Sequence, residues 1–234
     1  DKGDGASSTE VDSGSVVVAR KSGVITMIGH QTLVEQASSA NCVLELVPGL
    51  GSFVPAGATL FKVHGNGESL DRRAVLKGVL QGLERTLEQD VGYGLRMLVD
   101  IAERSVSDSP FQDPTTAVQA IDRLHDCMRQ LVRRPLHDGR HRDEEGEVRL
   151  IEPAMTWDDY VHLAFDEVRL AGAGSPQVSR RLHAALEDLI AMAPPERVAV
   201  LAEQRDMLEG LTRERFSDKR DVQRASRPDP QGLG

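Results

Sequence analysis

The chain has 234 residues, of which 39% are hydrophobic, 28% charged and 3% aromatic, and its formal net charge is −9. That length can bury one large or two small cores, and two domains are expected. The negative charge excludes a phosphate-backbone binder, which needs clustered Lys and Arg to displace counterions, so no nucleic-acid partner is expected. The scarcity of rings leaves aliphatic helix packing to supply most of the core.

Residues 1–14 are small, acidic and nearly free of large apolar groups, which predicts a disordered arm. Residues 15–66 read as a small β module. Val16–Val18 and Val24–Ile28 are β-branched runs parted by the turn Arg20-Lys21-Ser22-Gly23, and a short helix follows over His30–Ser39. Cys42–Val47 is a further strand, and Pro48-Gly49 and Gly51 mark a turn before Phe53–Val63.

From Ser69 the apolar period changes from two to about 3.6, which opens a helical domain over 67–211 with a minor β element. Leu70–Leu76 predicts a helix, Val79–Leu83 an extended piece, and Val148–Ile151 a strand expected to pair with it. In the helix over 92–106, apolar residues cover nearly the whole circumference, as in the centre of a bundle. Asp113-Pro114 has the chemistry of a helix start, with Asp capping and Pro in the first position, and that helix should run to about Arg133. Pro135–Glu147 reads as a charged loop. Helices are expected over 156–170 and 176–192, and from Pro194-Pro195 to about Leu211. Residues 212–234 mix Arg, Lys and Asp with Pro228 and Pro230, and are expected to form a disordered basic tail. The fold class is α+β: a small N-terminal β module, barrel- or sandwich-like, followed by a mainly α-helical domain.

No run approaches the roughly 18 apolar residues of a spanning helix, and the acidic start has no signal-peptide core, so the chain as given reads as soluble. It opens without methionine, which suggests a piece of something longer. Cys42 and Cys127 are the only cysteines. They lie in segments assigned to different domains, so a reducing compartment is expected and a disulfide framework is not.

Two resemblances bear on these residues. The run Pro-Gly-x-Gly-x-Phe-Val-Pro-x-Gly-x-x-Leu from Pro48 resembles the turn region of biotinyl/lipoyl modules, but no lysine lies between Gly23 and Phe61 to carry their cofactor. The likeness therefore implies the scaffold alone, and no cofactor is expected. More extensively, Arg85-Thr86 with Gln89-Asp90, Gly94-Leu95-Arg96, Leu98-Val99-Asp100-Ile101-Ala102 and Asp113-Pro114-Thr115-Thr116-Ala117 resemble the bacterial predicted membrane proteins of domain of unknown function 2254. Ser22-Gly23-Val24-Ile25 and Phe53-Val54-Pro55-Ala56-Gly57 fit the same family, over roughly residues 15–210. The resemblance implies several transmembrane helices upstream, with this chain as a soluble part on the cytoplasmic side. Where the family has Ser-Pro-Gly-Ile-Asn-Asp-Pro, this chain has Ser109-Pro110-Phe111-Gln112-Asp113-Pro114, with Gln at the Asn position.

The densest polar grouping beside core-forming helix comprises Arg85, Thr86, Asp90, Arg96, Asp100, Asp113, Thr115, Thr116 and Asp122, taken here as a candidate ligand-binding set. A helix start at Asp113 offers free amides and the positive end of a dipole, so an anion or small molecule could sit there with Arg85 or Arg96 closing the clamp. The competing reading is structural: Asp113 caps its own helix and the remaining charges pair internally. A hydrolase or transferase would use Asp90, Asp100 or Asp113 with Mg²⁺, but no metal-ligand spacing marks them. A third reading makes the domain a structural homo-oligomeriser.

His137 and His141 have the i, i+4 spacing of a metal pair on a helix. Gly139 and the surrounding charges favour a solvated acidic loop instead, and no metal is expected. His125-Asp126-Cys127 are adjacent on a helix, about 100° apart, and cannot form a relay by adjacency. No phosphate loop, nucleophile elbow or Cys-x-x-Cys occurs. The leading expectation is a non-enzymatic domain with a ligand-sensing, regulatory or assembly role.

Overall fold

A computed structural model describes residues 15–107 and 112–232 of the chain. The expected arm over 1–14, and most of the segment before Asp113 that departs from the family pattern, lie outside the described residues. The chain divides into two compact units. Among the described residues, one comprises those up to Asp90 with His137–Ala154, and the other those from Val91 to Leu136 with those from Met155 onward.

The first unit is built from β1 (Val16–Val18), β2 (Gly23–Ile28), α1 (His30–Ser39), β3 (Cys42–Leu46), β4 (Phe53–Val54), β5 (Thr59–Gly65), α2 (Arg72–Lys77), β6 (Val79–Gly82), β7 (Arg140–Arg142) and β8 (Val148–Ile151). Five strands form a mixed sheet in the order β1-β5-β3-β8-β7, and three form a second sheet in the order β4-β2-β6. The α+β class is as the sequence predicts. The unit is more than a strand module, however, since α1 packs on β3 and β8 and buries Leu33 and Ala37 completely.

Alternation on β3 puts Cys42, Leu44 and Leu46 inward, as the period of two requires for one buried face. Leu44 sits opposite Leu150 in the parallel β3–β8 ladder. Both are fully buried, each stabilising the unit by about 1.5–3 kcal/mol. Two expectations are corrected here. Val148–Ile151 pairs with β3 and β7, whereas the extended piece near Val79 is β6 and pairs with β2. The supposed loop over 135–147 contains β7, which forms a hairpin with β8. Together these place residues 137–154 with the N-terminal unit, because β8 has its apolar partner in β3.

The second unit is helical: α3 (Val91–Val106), α4 (Pro114–Leu131), α5 (Trp157–Gly172), α6 (Pro176–Met192), α7 (Pro195–Arg215) and α8 (Lys219–Ala225). Its core gathers Leu95, Val99, Ile121, Leu124, Phe165, Leu182, Leu189 and Leu201. Pro occupies the first turn of α4, α6 and α7, where its missing N–H is not needed. Helix α3 is not the centre of the bundle. It packs on α4 and α5, and leaves Met97 and Ile101 about two fifths exposed. The expected disordered tail is also corrected, since the described residues after 212 finish α7 and form α8, which packs against α6. Ala225 is fully buried, and Arg180 donates to the carbonyl of Gly232 at 2.7 Å.

Arg197 ties this unit together. Its guanidinium donates to the carbonyls of Leu131, Val132 and Arg134 at 2.9–3.0 Å, satisfying acceptors at the end of α4. It also lies 5.3 Å over the Trp157 ring, whose indole N–H donates to the Arg197 carbonyl. Helix α5 begins with a capping box in which Thr156 and Asp159 exchange side-chain and backbone hydrogen bonds. Thr156→Ala should therefore destabilise this unit by about 1 kcal/mol, and Thr156→Ser should restore most of it. Trp157, the sole tryptophan, reports both in denaturant titrations read by fluorescence.

Candidate functional site

The polar residues singled out from the sequence divide between the two units. Arg85, Thr86 and Asp90 belong to the first. Arg85 donates to Asp90 through Nε and a terminal nitrogen at 3.1 and 2.7 Å, while Thr86 is exposed. This pair wraps Gly51, whose φ is +79°, and a Cβ there would lie 2.5 Å from both the Arg85 Nε and the Asp90 carboxylate. The neighbouring Gln89 side chain exchanges hydrogen bonds with the backbone of Ile28. This half of the motif thus fastens the 83–90 segment onto β2 and the Gly51 turn.

In the second unit the remaining residues fall into three separate groups. Arg96 pairs with Asp100 at 2.9 Å on its own helix and with Glu167 on α5. Asp113 caps α4, accepting from the Thr116 backbone N–H at 3.1 Å and the Thr116 hydroxyl at 2.5 Å. These bonds hold its carboxyl below the usual range, and Thr115 beside it is exposed. Asp122 accepts from Arg181 at 2.6 Å. The amides expected to receive an anion are thus served by the carboxylate of Asp113 itself.

Arg181 also donates to His125 Nδ1 at 2.9 Å. A guanidinium can only donate, so the proton of His125 is on Nε2, facing Asp188 at 2.8 Å. Arg129 pairs with the same Asp188 carboxylate. The result is a closed ionic network between α4 and α6.

A different set of groups converges in the first unit. His30 opens α1 immediately after Gly29, whose N–H is anchored to the Gly78 carbonyl at 2.8 Å. His141 is the middle residue of β7, and Glu152 directly follows β8. Both imidazole Nε2 atoms meet one carboxylate: His30 lies 3.0 Å and His141 2.8 Å from Glu152 Oε1. The two rings are stacked with centroids 4.1 Å apart and planes 16° from parallel, and His137 stacks on His141 at 4.5 Å. The Glu152 and His141 side chains are only 13% and 16% exposed, against 37% for His30. Burial pushes the His141 imidazole below the ordinary histidine pKa, against the upward pull of its bond to Glu152.

Over these rings lies a cleft of about 720 Å³, bordered by α1 on one side and by residues 137–145 on the other, with His30, His137 and His141 among its walls. Of its carboxylates, Asp143 is committed: Arg149 donates to it at 2.6 Å and holds its carboxyl below the usual range. Glu35, Glu144 and Glu145 are exposed on the rim.

Gly139 holds the near side of this arrangement. Its φ is +74°, its N–H donates to His137 Nδ1 at 2.9 Å, and its carbonyl accepts from the Glu152 N–H at 2.8 Å. A Cβ at Gly139 would overlap the Glu152 carbonyl oxygen. The residue read from the sequence as evidence for a loop is therefore the one that lets the two ends of the β7–β8 hairpin approach.

The expectation of a solvated acidic loop holds for His137, which is exposed and outside regular structure, and is corrected for His141, a strand residue turned into the unit. His30 and Glu152 were missed altogether. They are 122 residues apart, so no spacing motif could announce them. The available signals were an imidazole at a helix start and a carboxylate closing a β-branched run before Pro153.

With this geometry in place, the family can be stated. The sequence matches the family described as predicted membrane protein (DUF2254) over residues 1–188, and the chain belongs to it. Similar relatives are the uncharacterized proteins Rv1290c of Mycobacterium tuberculosis and Mb1321c of Mycobacterium bovis. Each is 32% identical over 217 residues, which cover 88% of this chain and 40% of theirs. The chain therefore spans two fifths of the length of these relatives. No solved structure matches it. Among the described residues, no helix is long and apolar enough to cross a membrane.

Two predictions follow from these side chains. Gly139→Ala should destabilise the first unit by at least about 1–2 kcal/mol, the cost of a left-handed non-glycine residue before the overlap is counted. It should also shift the His137 and His141 imidazole signals in NMR spectra. In the second unit, His183 on α6 is 2% exposed and its Nε2 has no hydrogen-bond partner. Burial lowers its pKa, with Glu209 pulling up and Arg205 pushing down, and His125 is lowered chiefly by burial as well.

A folded pKa below the unfolded value of about 6.5 gives stability that is present above that pH and lost as pH falls through the folded value. The melting temperature of this unit, followed by Trp157 fluorescence, should therefore drop between pH 7 and 5. His183→Leu should flatten the drop, whereas stabilisation on acidification would refute the assignment.

Proposed function

We propose that this chain is an extramembrane, non-enzymatic ligand-sensing region of a longer membrane protein, and that the cleft over His30, His137 and His141 is where its ligand binds. The observation that carries this reading is the convergence of two imidazoles, with a third stacked beside them, on one largely buried carboxylate beneath an accessible cleft. Buried polar groups are normally satisfied by hydrogen bonds within the protein. Here the imidazoles line the wall of an opening large enough for a small molecule.

Membership in a family of predicted membrane proteins, together with the absence of a spanning helix among the described residues, supports the extramembrane placement. The share of the relatives left uncovered leaves ample length for membrane segments elsewhere in such a protein. The helical unit, whose Asp100, Asp122, Glu167 and Asp188 sit in internal ion pairs, suits a body that transmits or assembles better than one that hydrolyses.

The test is a thermal-shift panel of inorganic phosphate, citrate, short carboxylic acids and divalent metal ions on the wild-type chain and on His141→Ala. At least one probe should raise the melting temperature of the wild type, since occupancy at a hundred times Kd contributes about 2.7 kcal/mol, and that rise should vanish in the variant. A panel without response, or one whose response is unchanged in His141→Ala, removes the cleft as the ligand site.

A further inference from the structure

From the cluster of His30, His141 and Glu152, whose two imidazoles border this cleft, we infer that the ligand is a divalent transition-metal ion of the zinc class, held by His30 Nε2, His141 Nε2 and a carboxylate oxygen of Glu152. This deepens the ligand-sensing reading above and rests on it. Among the described residues, these three form the one set of His, Cys, Asp or Glu side chains whose donor atoms all lie within 4.8 Å of one another.

The donor set fits the ion chemically. Two imidazoles and one carboxylate are ligands that zinc takes, with metal–nitrogen and metal–oxygen distances near 2.0–2.2 Å, and three protein ligands leave a fourth position for water or a molecule from the cleft. In a tetrahedral site of that radius neighbouring donor atoms stand about 3.3 Å apart. The two imidazole–carboxylate separations here are 2.8 and 3.0 Å. Each of these two separations needs to open by only a few tenths of an ångström, and all three donors already lie within 4.8 Å of one another. The rings lie 16° from parallel at 4.1 Å, so to aim both in-plane Nε2 lone pairs at one ion at least one imidazole must turn about its side-chain torsions.

The scaffold is already built. His30 is placed by α1, His141 by β7 and Glu152 by the end of β8, and α1 packs on both strands. A site carried on regular elements holds its geometry more tightly than one on loops. His137 is assigned a different role. Its Nδ1 accepts from the Gly139 N–H, so its neutral ring carries the proton on Nε2 and has no lone pair there for a metal. It is a wall that positions His141 by stacking. The cleft lining carries both signs, with Glu35, Glu144 and Glu145 alongside Arg140 and Arg142.

Protons balance without an outside base. In the metal-free state each ligand ring donates from Nε2 to Glu152. On metal binding each ring presents the Nε2 lone pair and carries its proton on Nδ1, exchanged through water, so the rings stay neutral and the carboxylate trades two hydrogen bonds for a metal bond.

The experiment uses the whole chain, stripped with a chelator and titrated with Co²⁺ and then Zn²⁺. One equivalent of Co²⁺ should give the intense visible absorption of tetrahedral coordination, and Zn²⁺ should abolish it. Calorimetry should report one site, weakened more than about tenfold in His30→Ala, His141→Ala and Glu152→Gln, since even outer-shell losses cost that much. His137→Ala should stay within a few fold. If a variant fails to fold, ¹⁵N NMR of the wild-type histidines decides, because Zn²⁺ should move the proton of His30 and His141 from Nε2 to Nδ1.

Absence of metal binding alongside a cleft response to phosphate or citrate overturns the metal assignment and leaves the ligand site standing. Silence toward every probe overturns both. Metal binding of unchanged strength in all three ligand variants overturns this site.

Discussion

The parallel pairing of β3 with β8 is the constraint on which the first unit depends. It brings a hairpin that begins at residue 140 against a strand that ends at residue 46, and Leu44 and Leu150 are fully buried where they meet. Parallel neighbours cannot be joined by a tight turn, so a long stretch of chain must lie between them. In this protein that stretch includes α3 and α4. The chain leaves the first unit at Asp90, builds two helices of the second, and returns at His137. Without that return there is no Glu152 beside His30, and α1 loses part of the surface it covers.

The two units treat their charges differently. In the helical unit the acids and bases saturate one another: Arg96 with Asp100 and Glu167, Arg181 with Asp122, and Asp188 shared by His125 and Arg129. Such closed pairs fix helix register and leave little for an incoming group to gain, because breaking a half-buried pair strands a charge. In the first unit the bonds of Glu152 are to two imidazoles, groups that stay satisfied when a metal replaces the hydrogen bond. That difference in exchangeability, more than the number of charged groups, separates the histidine cleft from the cluster that the sequence brings forward.

Where local chemistry decides, the sequence reads well. Asp113-Pro114 caps α4 as its residue types demand, Pro176 and Pro195 open α6 and α7, and His30–Ser39 is the helix that its spacing predicts. The misreadings share one cause. Glycine weakens regular structure, which makes Gly139 read as a loop signal, whereas its positive φ and missing Cβ serve a hairpin whose ends touch. Val148–Ile151 meets β3 and β7 rather than the Val79 piece, since a strand's sequence states which face is apolar and not which strand it meets. The 92–106 helix looked central because apolar residues around its circumference do not say how many sides the neighbours cover, and here α4 and α5 cover one.

By itself, then, the sequence determined the α+β class and most helix starts, since these follow from period and capping within a few turns of chain, and its motifs carried the family resemblance. Only the tertiary structure decided which charges neutralise each other and which histidines meet. Hydrogen bonds and metal ligands depend on separations of a few ångströms between side chains, and the closure of His30 onto Glu152 across 122 positions is set by how sheets and helices pack.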